Sequence, residues 1–155
     1  MTRTIHDWLS AYGVSHQNAT NKTLHWICIP AIMFSLIGLL TAIPSDFLGF
    51  PPYLNWGSMF IIATLLFYLR LSFPIFLGFV FVGGAMVWGN VMLIDNGIMP
   101  LGWLSLIIFV VAWIGQFIGH KIEGAKPSFF EDLQFLLIGP AWLMSFIFQK
   151  VGIKY

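Results

Sequence analysis

Two clusters of polar residues stand against an otherwise apolar chain. The first is His16-Asn18-Asn21-His25, just ahead of the first long apolar run. The second is Gln116, His120 and Glu123, at the end of a later run. At helical spacing Gln116, His120 and Glu123 fall at i, i+4 and i+7, on one face of one helix, and Asn21 and His25 share a face at i, i+4. Neutral imidazole is a ligand for iron, zinc and copper. Histidines from two separate elements, His16 and His25 from one and His120 from the other, suit a single metal ion with coordination positions left open. Gln116, Glu123 and Asn21 then serve either as a further ligand or as partners that orient imidazole. Each histidine taken singly also suits an interfacial residue with a local hydrogen bond, and a haem held by two histidines stands beside these readings. The fourth histidine, His6, reads as a surface residue.

The elements that must position these groups are membrane helices. Hydrophobic residues make up 59% of the 155 and charged residues 8%, against about 25% charged in a soluble domain. Too few charges remain to cover a soluble surface, so an integral membrane protein is expected, as one domain over residues 1–155. The net charge of +1 and the lack of a basic stripe argue against nucleic acid. One cysteine, Cys28, excludes an intramolecular disulfide and a thiolate cage, and reads as a buried inert thiol. No phosphate-binding glycine loop, G-x-S-x-G or H-E-x-x-H appears, and four histidines are too few for a membrane di-iron site. No signal peptide is evident.

The expected fold class is all-α: a multi-pass helical membrane protein of four to five transmembrane segments plus an N-terminal interfacial helix. Ile5, Trp8, Leu9 and Tyr12 recur at helical spacing behind a Thr4/Asp7 capping pair, which predicts an amphipathic helix over 4–13 lying along the headgroup layer. Apolar segments follow at about 24–43, 53–69, 71–94, 100–118 and 133–148. Gly83-Gly84 and the Gly115/Gly119 pair would let neighbouring helices approach closely, and Asn90 is expected to hydrogen-bond another helix. Gly139-Pro140 interrupts the last run, which reads as a kinked span or a re-entrant segment. With the N-terminus in the cytoplasm, Arg3, Lys22, Arg70, Lys121 and Lys126 all lie inside, while loops 44–55 and 95–99 carry no Lys or Arg. That bias puts His16, His25 and His120 at one depth, on the cytoplasmic face. It also sets aside the two short Asn-x-Thr matches at Asn18 and Asn21 as glycosylation sites.

The segment around His16, Asn18, Asn21, His25 and Pro30 resembles the pattern H-x-N-x-x-N-x-x-x-H-x-x-x-x-P. Gln116, Gly119, His120, Glu123, Pro127, Asp132, Gln134 and Pro140 resemble a second signature of the same family, and Leu93-Ile94-Asp95 a shorter shared element. The family is that of the small membrane 2-hydroxy fatty acid dioxygenases, whose fungal member acts in phytosphingosine breakdown. The resemblance covers almost the whole chain. It implies Fe(2+) as cofactor, a 2-hydroxy fatty acid and O2 as substrates, and α-oxidation that cleaves C1–C2 to leave an acid one carbon shorter. It also implies His16, His25 and His120 as metal residues, at a bacterial inner membrane or, in a eukaryote, the endoplasmic reticulum membrane. The α-hydroxy carboxylate suits such a site because its two oxygens can chelate one iron, with the acyl chain among the apolar helices. The fungal member has one more residue between the histidine and the glutamate, which sets Glu123 apart from the histidines. The reading from a different class is a non-catalytic membrane protein that binds lipid or haem through the same residues.

Overall fold

A computed structural model describes residues 3–45, 49, 51, 53–97, 99–124 and 135–155. Lys126, Pro127, Asp132 and Gln134, named above for charge bias or family resemblance, lie outside the described residues. Among those described there are six helices and no strand: α1 (Ile5–Val14), α2 (Ala19–Thr41), α3 (Trp56–Leu71), α4 (Phe73–Asn96), α5 (Leu101–Glu123) and α6 (Ile138–Lys150). Three of them, α2, α4 and α5, are long and apolar enough to cross a membrane, while α3 is a shorter apolar helix. Phe81, Trp103, Val111 and Leu66 leave 59% or more of their surface uncovered, an outward apolar face of the kind that lipid covers.

Local chemistry explains the helix ends. Thr4 Oγ1 accepts from Asp7 N–H at 3.3 Å while Asp7 Oδ2 accepts from Thr4 N–H at 2.8 Å, so the expected capping box opens α1. The Thr4 hydroxyl also donates to Asp7 and holds its carboxyl below the usual range. Asn18 caps α2 by accepting from Thr20 N–H at 2.9 Å and Asn21 N–H at 3.4 Å. For that reason α2 opens at Ala19, five residues before the apolar run at Leu24, with polar residues in its first turn. Ser72 alone joins α3 to α4, ending one helix and capping the next. The α5 helix continues past the apolar run to Glu123 and stops at Gly124, whose φ of 77° is the left-handed conformation that glycine adopts without strain.

The main packing unit is the antiparallel pair α2–α5. A Cβ on Gly115 would sit 2.6 Å from Cys28 Sγ, and one on Gly119 would overlap Asn21 Oδ1. The small residues therefore set how closely these two helices approach. Gly83 likewise admits Ile61 of α3, whereas no described residue of another helix comes within 4 Å of a Cβ on Gly84. Asn90 donates through Nδ2 to Phe34 O of α2 at 3.1 Å, the interhelical bond expected of it. Cys28 is buried as a free thiol.

The packing of two elements goes beyond what the sequence expressed. The apolar face of α1 is covered by protein: Ile5, Leu9 and Tyr12 are buried in a cluster with Trp142, Leu143 and Phe148 of α6. Among the described residues the last run is helical from Ile138, so Gly139-Pro140 falls in the first turn, where a proline costs no ladder bond. The resulting α6 has 13 residues, and every residue from Ile138 to Ser145 is buried.

Candidate metal centre

The α1–α2 connection, the first turns of α2 and the last turn of α5 converge on three imidazoles. His16, His25 and His120 are all buried, at 1%, 1% and 7% exposure. One ligand nitrogen from each lies within 4.8 Å of the other two. The ring centroids are 4.3 Å apart for His16 and His25, 5.1 Å for His25 and His120, and 5.4 Å for His16 and His120.

The hydrogen bonds define which nitrogens face the centre. His16 Nδ1 is 2.6 Å from Tyr12 O, and His25 Nδ1 is 2.9 Å from Asn21 O. A carbonyl oxygen can only accept, so each Nδ1 carries the proton and each Nε2 presents a lone pair. Those two Nε2 atoms are 2.9 Å apart. Two lone pairs at that distance repel unless a cation stands with them, so the donor set fits a metal ion. It does not fit a haem held between His16 and His25, because 2.9 Å leaves no room for a porphyrin plane. Burial, the largest influence, pushes the His16 imidazole from 6.5 down to about 4. His16 is therefore neutral at pH 7, with its lone pair available to metal.

The surrounding groups hold this geometry. Tyr12 stacks on His16 at 4.1 Å with planes 15° apart, and Trp142 of α6 stands 5.3 Å away. Glu123 is not one of the three converging ligands: its carboxylate accepts from Gln17 N–H at 2.7 Å, from Asn18 N–H at 2.9 Å and from Asn21 Nδ2 at 2.9 Å. One side chain at the end of α5 thereby clasps the loop that carries His16 and the first turn of α2. A carboxylate also suits that place, since the helix N-terminus carries partial positive charge.

Asn21 is fully buried between Glu123 and Gly119. Gln116, 6% exposed, lines a cavity of about 40 Å³ with His25 and His120, and its Oε1 has no hydrogen-bond partner among the described residues. An orphaned buried acceptor beside the imidazoles is costly unless a ligand or water meets it.

His6 is exposed on α1 beside Tyr155, away from the cluster, and Lys121 is exposed too. Asp95, exposed at the end of α4, lies at the opposite end of the α2–α5 pair from the histidines. Sequence reasoning missed Tyr12 and Trp142, which it took only as apolar. The single hint was that Tyr12 precedes His16 by one helical turn.

A family model described as "Mpo1-like: 2-hydroxy-palmitic acid dioxygenase Mpo1-like" matches residues 2–151. The chain is 28% identical over 148 residues to the 2-hydroxy-palmitic acid dioxygenase MPO1 of Saccharomyces cerevisiae, covering 93% of this chain and 79% of the yeast protein. No solved structure matches the chain.

Proposed function

The chain belongs to the Mpo1-like family, and we propose that it is an Fe(II)-dependent dioxygenase that cleaves the C1–C2 bond of long-chain 2-hydroxy fatty acids. The observation that carries the reading is the pair of buried Nε2 lone pairs 2.9 Å apart, joined by a third imidazole on a different helix. Iron(II), when bound, supplies the one-electron chemistry through which dioxygen reacts with a closed-shell acid. The acid and dioxygen give the shortened acid, carbon dioxide and water, so the substrate supplies every electron that dioxygen takes up. No 2-oxoglutarate, flavin or nicotinamide is needed.

In this reading His16, His25 and His120 hold the metal through neutral imidazole. The Tyr12 and Asn21 carbonyls fix the His16 and His25 rings by accepting their Nδ1 protons. Gln116 turns its amide toward the substrate's polar end, where Oε1 can accept the proton of the 2-hydroxyl. Glu123 and Asn21 act through the backbone they hold. The ring cluster excludes bulk water, since all three histidines are buried. The protein crosses the membrane several times, with this end at the cytoplasmic face.

The deciding experiment gives iron-loaded protein a long-chain 2-hydroxy acid and its unsubstituted counterpart under labelled oxygen, with products read by mass spectrometry. The expected result is the acid one carbon shorter from the 2-hydroxy acid alone. Equal turnover of the unsubstituted acid, or a strict need for 2-oxoglutarate, would overturn the mechanism. No turnover in protein shown to hold iron would favour a lipid-binding role. Topology has its own check: cysteines at Thr20 and Lys121, both exposed, in a Cys28→Ser background should label from the same side of sealed vesicles.

A further inference from the structure

The cavity beside the histidines adjoins another along α2. Beyond Gln116 and the imidazoles its wall turns apolar, with Ile29, Ile32, Met33 and Leu136. A second cavity of about 20 Å³ follows, and the two share Ile32, Met33, Leu136 and Pro140 as walls. Its far side is formed by Ile37 of α2 and by Ile61, Thr64 and Tyr68 of α3. The Tyr68 hydroxyl is already committed, donating to Leu137 O at 2.6 Å, so this end offers an apolar lining with one polar atom, the Thr64 hydroxyl. His25, Ile29, Ile32, Met33 and Ile37 follow one stripe down α2. At 1.5 Å per residue, the 12 steps from His25 to Ile37 span about 18 Å. One leaflet of a bilayer's hydrocarbon core is about 15 Å thick, so the seam is as long as a fatty acyl chain.

We infer that the acyl chain of the 2-hydroxy acid lies in this seam between α2, α3 and the 135–140 segment, with Met33 as the movable wall and Ile61 and Thr64 setting the chain length. This rests on the proposed substrate class. The two cavities are too small to take a long acyl chain without rearrangement. Met33 is one of the four walls they share, and its unbranched side chain can re-pack more cheaply than a β-branched one. The polar end then meets the histidines and Gln116, and the methyl end reaches α3. A chain too long for the seam would press on Ile61 and Thr64, both nine-tenths buried, and close packing there leaves little slack.

The test is photo-crosslinking of the iron-loaded full chain in mild detergent, using a 2-hydroxy fatty acid that bears a diazirine at its methyl end. The labelled peptide is identified by mass spectrometry, with excess unmodified 2-hydroxy acid as competitor. The expected label is competable and falls on residues 60–68. A label on outward residues such as Phe81 or Trp103, or no competable label, would overturn the seam. Thr64→Phe should also lower turnover of the longest accepted acid relative to shorter ones by at least about tenfold, and an unchanged chain-length profile would count against the seam. Mapping needs no turnover, so the two readings fail separately. Label on α3 without turnover keeps the seam and removes the dioxygenase, whereas turnover with label elsewhere does the reverse.

Discussion

The two ends of the α2–α5 pair are built alike and chemically unlike. At one end Gly119 of α5 makes room for Asn21 of α2. At the other Gly38 of α2 makes room for Ser105 of α5 and Asn90 of α4. Both ends bury polar side chains, and both leave acceptors without partners among the described residues: Asn21 Oδ1 and Gln116 Oε1 at one, Asn90 Oδ1 and Ser105 Oγ at the other. Among the described residues, the buried polar groups of the far end are neutral amides and hydroxyls, and some of them pair with one another, as in Thr41 Oγ1 donating to Asn55 Oδ1 at 3.0 Å. At the near end imidazole lone pairs converge with no protein donor between His16 Nε2 and His25 Nε2. Close polar packing between membrane helices is thus structural by default, and it becomes a candidate site only where its groups ask for a cation.

The largest effect should come from the imidazoles themselves. His16→Ala, His25→Ala and His120→Ala are each expected to lose bound iron and bring turnover to background, while His6→Ala keeps both. Metal analysis after purification without chelator decides it, and full iron in His120→Ala would break the assignment. Next comes a matched pair of glycines. Gly119→Ala pushes a methyl group into Asn21 and should cost iron affinity. Gly38→Ala pushes one into Ser105 and Asn90, and should cost about 1–3 kcal/mol of stability while the folded fraction still binds iron. Iron loss from both variants alike would erase the contrast between the ends.

A smaller effect is expected at Glu123. Glu123→Ala leaves the Gln17 and Asn18 amides and the Asn21 side chain without their acceptor, and should weaken iron binding about 10–100-fold. Glu123→Gln, which keeps one oxygen in place, should recover part of this. A ligand role would instead make both variants equally poor, so iron titration separates clasp from ligand.

The smallest effect concerns α1, which supplies the Tyr12 carbonyl to His16. Asp7 is held below the usual carboxylate value of 3.8 by Thr4. Its contribution is present above that pH and is lost as pH falls through the lowered folded value. Acidification through that window should raise amide exchange in residues 5–14 before α4 or α5 responds, and Asp7→Asn should remove this pH dependence.

Much of this was legible without tertiary structure. Helical periodicity placed Gln116, His120 and Glu123 on one face, and Asn21 and His25 on another, because 3.6 residues per turn is a local property. The long unbroken apolar runs pointed to the all-helical class in the same way, since lipid offers the backbone no hydrogen bonds and the strands of a barrel would alternate apolar with polar residues. What those rules could not supply is which atoms meet across helices. Glu123 shares a face with His120 and yet serves the start of α2, because Gly115 and Gly119 bring α5 close enough for its carboxylate to reach Gln17 and Asn18 first. The face of α1 that suited a lipid surface packs instead on α6, a preference that amphipathicity cannot express because lipid and protein are equally apolar partners. The conjunction of His16 and His25 at 2.9 Å likewise depends on a loop and a stacked Tyr12, and only the packed molecule decides it.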